Sequence, residues 1–225
     1  MVIAVTNLKG GVGKTTIATN LAVCLAYQDY DVCIVDTDLG QQSSMEWSGS
    51  RSADLKSIPV FGINVKQLNK EVEDLKKRFD IVVIDGTPHL SELADRTILA
   101  SDVLLIPLTP SIYDFRGFEG FLQRFDQIKN VKEVSGSSTD AYVILNRVVP
   151  NTNVSKDINE AVEAYNITML KTRLVSRISY VDTASEGKGV VEYKDKKAKD
   201  EMEELTNEIL GLIENGTVKV LKKTA

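Results

Sequence analysis

Residues 9–16 read Lys9-Gly10-Gly11-Val12-Gly13-Lys14-Thr15-Thr16, between an apolar run, Val2-Ile3-Ala4-Val5, and a stripe of Ile17, Leu21 and Leu25 at four-residue spacing. Four consecutive apolar residues suit a strand covered on both faces, and the later spacing suits a helix with one buried face. A glycine-rich turn in that setting lets successive backbone N–H groups point inward at phosphate oxygens, and the helix adds its positive N-terminal end. Lys14 is then placed to reach β- and γ-phosphates, the Thr15 hydroxyl to hold Mg²⁺, and Thr16 to donate to an α-phosphate. The strict pattern Gly-x4-Gly-Lys-[Ser/Thr] asks for glycine at position 8, where this chain has Leu8.

Outward from that loop, the same kind of apolar run recurs at residues 32–35, 81–84, 103–107 and 141–145. Segments of helical period lie between the runs. Val65, Leu68, Val72, Leu75 and Phe79 share a face over residues 65–79, and further helices are expected over 90–100, 117–128, 154–165 and about 198–214. Strands alternating with helices require crossover connections, so the fold class is α/β: a mostly parallel, twisted sheet flanked by helices on both faces. The 225 residues suit one domain, read as 1–215 with a short tail at 216–225. Residues 133–140, containing Ser-Gly-Ser-Ser-Thr, read as an exposed connector within it.

Composition narrows the function. A net charge of −5 argues against a protein that coats nucleic acid over its whole surface, although a local basic patch remains open. Cys24 and Cys33 lie nine residues apart in apolar surroundings and read as buried fillers rather than a metal site or a disulfide framework. No charged leader precedes the first strand, and no apolar stretch approaches the roughly 18 residues that span a bilayer, so a cytoplasmic protein is expected.

Acidic residues close two of the apolar runs. Val35-Asp36-Thr37-Asp38 puts two carboxylates at the C-terminal end of a strand, the edge of a parallel sheet where ligands bind. Ile81-Val82-Val83-Ile84-Asp85 ends in a single acid suited to holding Mg²⁺ through a water. Asp85 is followed by Gly86-Thr87-Pro88 and by the one histidine, His89, which reads as a surface or packing residue rather than a base. Asn146-Arg147 ends another strand.

With Lys9 at the loop start and Leu8 in the glycine's place, the chain resembles the deviant Walker P-loop ATPases of the ParA/MinD family, from residue 1 to about 215. The resemblance implies ATP and Mg²⁺ as ligands, with Lys9 crossing a dimer interface to the partner's nucleotide and Asp38 aligning the attacking water beside Lys9 and Lys14. It places Thr15, Asp36 and Asp85 near the metal, Gly86-Thr87-Pro88 as a γ-phosphate-sensing segment, Tyr113-Asp114-Phe115 beside the nucleotide and dimer face, and Asn146 and Arg147 near adenine. Members of the family usually carry Asp-x-Asp-Pro-Gln, whereas this chain has Asp-Thr-Asp-Leu-Gly-Gln, with Leu39-Gly40 in place of the proline, so the family pattern does not define the loop's path here.

The last third bears on the cargo. Residues 171–199 hold eight Lys/Arg against four Asp/Glu, while residues 200–214 hold six acids and no base. A basic strip on an acidic protein is a plausible phosphate footprint, with Arg173, Arg177, Lys194 and Lys197 as its candidate DNA contacts. The tail 217–225 is basic but carries only three apolar aliphatic residues, too little for firm membrane binding. The chain therefore looks like the small plasmid-type, ParF-like branch: a nucleoid-associated DNA-segregation ATPase, dimeric with ATP, working with a separate ParB- or ParG-like centromere-binding protein. A MinD-like positioning ATPase is the alternative.

Overall fold

The structure, a computed structural model, describes residues 1–88, 92–150, 158, 162–163, 165 and 167–215. Strands β1 (Val2–Val5), β2 (Val32–Asp36), β3 (Val60–Gly62), β4 (Ile81–Asp85), β5 (Val103–Leu108), β6 (Asp140–Leu145) and β7 (Thr168–Met169) form one parallel sheet in the order β3-β2-β4-β1-β5-β6-β7. The helices are α1 (Lys14–Tyr27), α2 (Ser43–Gly49), α3 (Leu68–Lys76), α4 (Glu92–Ala100), α5 (Ile112–Val134), α6 (Ser179–Ser185) and α7 (Lys196–Asn215). Two 3-10 turns, Val65–Gln67 and Val190–Glu192, complete the described elements.

Side chains alternate across each strand, so the continuous apolar runs feed two cores. Ile3, Val5, Ile34, Val83 and Leu105 face α1 and α7, where Leu21, Leu25, Met202 and Leu205 close the layer. Val2, Ala4, Val35, Ile84 and Leu104 face the opposite layer, where Leu68 and Val72 of α3, Ile98 of α4 and Phe118 and Phe121 of α5 pack. Cys24 and Cys33 are buried free thiols, as their apolar neighbours predict. Burial pushes the Cys24 thiol up to about 12, so it is inert.

Several expected boundaries move. The helix expected over 65–79 is a 3-10 turn followed by α3, because the Asn64 side chain accepts from the Lys66 N–H and tightens the entry. Helix α5 extends well beyond the expected 117–128. Residues 133–140 are not simply an exposed connector: α5 runs to Val134, Asp140 opens β6, and Thr139 is buried with its hydroxyl donating to Ser101 O and accepting from Lys132. Strands β3 and β7, three and two residues long, and helices α2 and α6 carry no periodicity strong enough to read from the chain. His89, the start of the 90–100 helix, most of the 154–165 helix and the tail 216–225 lie outside the described residues, as do the side chains of Tyr113, Asp114 and Phe115.

The C-terminal ends of β1, β2 and β4 lie side by side, with Asp36 and Asp85 partners in register and Val5 opposite Asp85. The glycine-rich loop leaves β1 at that edge, which brings it against both acids.

Candidate functional site

Residues 6–13 turn from β1 into α1 over a framework of side-chain hydrogen bonds. The Asn7 amide donates to Pro107 O at 2.7 Å, and its Oδ1 accepts from the Lys9 N–H at 3.1 Å. Gly13 has a left-handed φ of 93°, and a Cβ there would lie 2.2 Å from Nδ2 of Asn146, so both backbone conformation and space demand glycine. The reason for that crowding is a bond: Asn146 Nδ2 donates to Val12 O at 2.7 Å.

Lys14 is buried, its Nζ donating to Lys9 O at 2.8 Å. Burial lowers its pKa to about 8, with Asp85 and Asp38 pulling the other way. Across the cleft Asp85 is 4% exposed, and burial raises its carboxyl to about 6, offset by the Ser44 and Thr15 side chains beside it. Its Oδ2 accepts from the Ser44 hydroxyl at 2.6 Å, while its Oδ1 has no hydrogen-bond partner among the described residues.

Asp36 is also buried and raised by burial, but it is fully engaged. It accepts from the Asp38 N–H on Oδ1 and from the Ser44 and Met45 N–H groups on Oδ2. These last two bonds satisfy the start of α2, a Ser- and Gly-rich stretch with weak propensity of its own. Asp38 is half-buried at the loop start, with Oδ1 accepting from the Gln41 N–H at 3.1 Å.

One cleft collects most of the residues the sequence pointed to: Gly10, Gly11, Gly13, Lys14, Thr15 and Thr16 on one wall, Asp36, Asp38 and Asp85 on the other, with Arg147 at the rim. A second cleft shares Thr16 and Arg147 with it and continues past Val175, Ser176, Tyr180 and Val181. Arg147 sits at the junction with a left-handed φ of 54°. Asn146 lines the second cleft while its amide braces the phosphate loop at Val12. Lys9 is exposed, next in the chain to Gly10 of the first cleft.

The donor set fits a hard cation carried by phosphates. Among the described residues no group of three or more His, Cys, Asp or Glu gathers into an all-protein cage. Mg²⁺ prefers one or two carboxylates plus phosphate oxygens and waters, and Asp85 offers one buried, unpartnered oxygen beside Thr15. Sequence reading missed three contributors: Ser44, Asn20 and Gln41. Ser44 touches both acids, and Asn20 ties the loop helix to a distant turn, donating to Thr16 O at 2.8 Å and accepting from the Val190 N–H at 2.7 Å. A helix-buried Asn20 was the one sequence signal, since a polar side chain on an apolar face needs a partner.

The basic strip is less uniform than its composition suggests. Arg177 does not stand as a free charge: it forms a bidentate ion pair with Glu201, which also accepts from the Val175 N–H. A DNA contact by Arg177 would have to compete with this pair. Arg173, Lys194 and Lys197 are exposed, with Lys194 lying over the Tyr193 ring at 5.5 Å.

A parallel sheet with a glycine-rich loop after its first strand, a buried lysine and two strand-end acids defines a P-loop nucleotide-binding protein. Residues 3–190 match the family model described as the CobQ/CobB/MinD/ParA nucleotide binding domain, and the chain belongs to that family. It is 28% identical over 213 residues to maintenance of carboxysome distribution protein A of Halothiobacillus neapolitanus, covering 92% of this chain and 95% of that protein. It is 26% identical over 233 residues to the sporulation initiation inhibitor protein Soj of Bacillus subtilis, covering 85% and 90%. The septum site-determining protein MinD of Pyrococcus horikoshii, solved with Mg-ADP, superposes with a TM-score of 0.71 at 19% identity, covering 96% of this chain and 99% of that one.

Proposed function

We propose that this chain is an ATP-hydrolysing DNA-segregation ATPase that closes into a dimer with ATP, binds nonspecific DNA in that state, and is released when a separate centromere-binding protein stimulates hydrolysis. The observation that carries the hydrolytic part is the convergence of Lys14, Thr15, Asp38 and Asp85 on one cleft at the ends of β1, β2 and β4. In this reading the Gly10–Thr16 backbone cradles the phosphates, and Lys14 leaves the Lys9 carbonyl to pair with the β- and γ-oxygens. Mg²⁺, held by Thr15 and Asp85 with Asp36 behind them, supplies charge neutralisation on the phosphates when bound. Asp38, on the loop that follows Asp36, orients the attacking water. Arg147 and Asn146 border the neighbouring cleft, which is proposed to take the base. The exposed Lys9 is proposed to reach the second subunit's nucleotide.

The DNA part rests on the exposed Arg173, Lys194 and Lys197 beside an otherwise acidic chain. The relative named for carboxysome distribution favours a second reading, in which the same chemistry positions a cargo other than a replicon. Among the described residues no helix is long and apolar enough to cross a membrane. Gel shifts on random-sequence DNA and pelleting with anionic vesicles, each with and without ATP, test the proposal. ATP-dependent DNA binding at low salt is expected; vesicle binding without DNA binding would overturn it in favour of a MinD-like positioning role.

A further inference from the structure

We propose that Ser44 is a positioning residue of the nucleotide site: its hydroxyl ties helix α2, and with it the loop carrying Asp38, to the metal acid Asp85. The inference rests on the reading of Asp85 as the Mg²⁺-side acid. Ser44 is fully buried and touches both strand-end acids, donating its hydroxyl to Asp85 Oδ2 at 2.6 Å and its N–H to Asp36 Oδ2 at 3.0 Å.

The direction of the hydroxyl is informative. Ser44 is second in α2 and has no carbonyl of its own helix one turn before it, unlike Thr19, Thr183 and Thr206, whose hydroxyls donate back within α1, α6 and α7. The Ser44 hydroxyl points out of α2 at another strand's carboxylate, while the first amides of α2 are met by Asp36. The bond links the first turn of α2 to the end of β4. With Oδ2 of Asp85 held, the carboxylate cannot swing, and its unpartnered Oδ1 is fixed in the direction left open.

The loop between the acids is pinned at both ends. Asp36 Oδ1 holds the Asp38 N–H and Asp36 Oδ2 holds the Ser44 and Met45 N–H groups. Asp36 thus anchors the loop to β2, and the Ser44 hydroxyl links it to the carboxylate of β4. A ligand that draws on Asp85 pulls on Ser44, and through it on the segment that presents Asp38. The chain also contains a reporter: Trp47, its one tryptophan, is buried one turn along α2, with Nε1 donating to Lys188 O at 3.1 Å.

The test follows Trp47 fluorescence of the full chain during Mg²⁺ titration at fixed ADP, with ADP binding measured in parallel by calorimetry. Wild type is expected to show a fluorescence change with Mg-ADP that ADP plus EDTA does not give. Ser44→Ala is expected to raise the Mg²⁺ midpoint about tenfold, the usual scale for losing an outer partner of a metal ligand. It is also expected to lower kcat for ATP more than it changes KM, and Ser44→Thr, which keeps the hydroxyl, to restore both. Ser44→Cys, of similar shape but a poor donor, is expected to behave as Ser44→Ala and gives the reading if the alanine variant does not fold. A folded Ala or Cys variant with the wild-type midpoint and fluorescence response overturns the inference, as does tight Mg-ADP binding by wild type with silent Trp47. No Mg-ADP binding at all by wild type overturns the nucleotide reading, and this inference with it.

Discussion

Lys14 and Asp85 face each other with both charges taken out of water, a costly arrangement unless something ionic is meant to enter between them. Phosphates and Mg²⁺ would relieve both at once. Lys14→Ala should therefore abolish ATP binding measurable by calorimetry, whereas wild-type affinity in that variant would mean the loop has been misread. Asp38 makes a different prediction, since its side chain accepts from the Gln41 N–H of its own loop. Asp38→Ala should keep ATP affinity within about threefold and lose most turnover, giving an ATP-bound species that accumulates. Steady-state rates near wild type would remove Asp38 from the chemistry. Asp85 also gives the protein a pH dependence. Its folded pKa of about 6 lies above the ordinary carboxylate value of 3.8, so between those limits the folded state holds more protons than the unfolded one, and ionisation at Asp85 lowers stability as pH rises. Asp85→Asn removes that contribution. Metal-free Asp85→Asn should gain stability relative to wild type between pH 4 and pH 7 in urea melts, and an unchanged difference would show that Asp85 does not titrate there.

Helix α2 shows how an element of poor intrinsic propensity is held by its neighbours. Asp36 satisfies its first amides, and its far end is clasped to the turn at Val190–Glu192. Arg51 forms a bidentate pair with Glu192, the two side chains 5% and 1% exposed, donates to Gly187 O, and lies over the Trp47 ring at 5.3 Å. Gly187, at φ +64°, passes so close that a Cβ would lie 2.4 Å from the Arg51 backbone nitrogen. Removing one partner of such a pair strands a buried charge, so Arg51→Met should destabilise the protein by about 3–5 kcal/mol in urea unfolding, with Arg51→Met/Glu192→Leu recovering part of the loss. A loss below about 1 kcal/mol for the single variant would mean that water reaches Glu192 and the clasp contributes little.

At the scale of the molecule, the clasp and Asn20 join the nucleotide loop, α2 and the turn at Val190–Glu192, which leads directly into the basic Lys194–Lys197 stretch. Of the four DNA contacts expected from composition, Arg177 is committed to Glu201, which leaves Arg173, Lys194 and Lys197 as the exposed set. Neutralising these three together should weaken ATP-dependent binding to all DNA sequences alike and flatten the dependence of affinity on salt, because fewer counterions are released. ATP affinity should be unchanged. Arg177→Gln should instead lower thermal stability with little effect on the salt slope. An unaltered slope in the triple variant would move the DNA-binding face elsewhere.

The sequence by itself determined the parallel α/β sheet, the phosphate loop and the strand-end acids, because each is written in local spacing: apolar runs, one helical stripe, glycines between strand and helix, an acid closing a strand. The contacts that make the cleft specific were decided only by tertiary structure. Asn146 bracing Val12, Asn20 reaching Val190, Ser44 bonding Asp85 and Arg51 pairing with Glu192 join residues 134, 170, 41 and 141 positions apart. No window of the chain holds both partners of any of them. The same applies to Arg177, which reads as a free cation in a basic strip until the fold lays Glu201 of α7 against it. Local pattern reports which face of an element is apolar, while the partner of a polar side chain on that face depends on which element the sheet order places opposite.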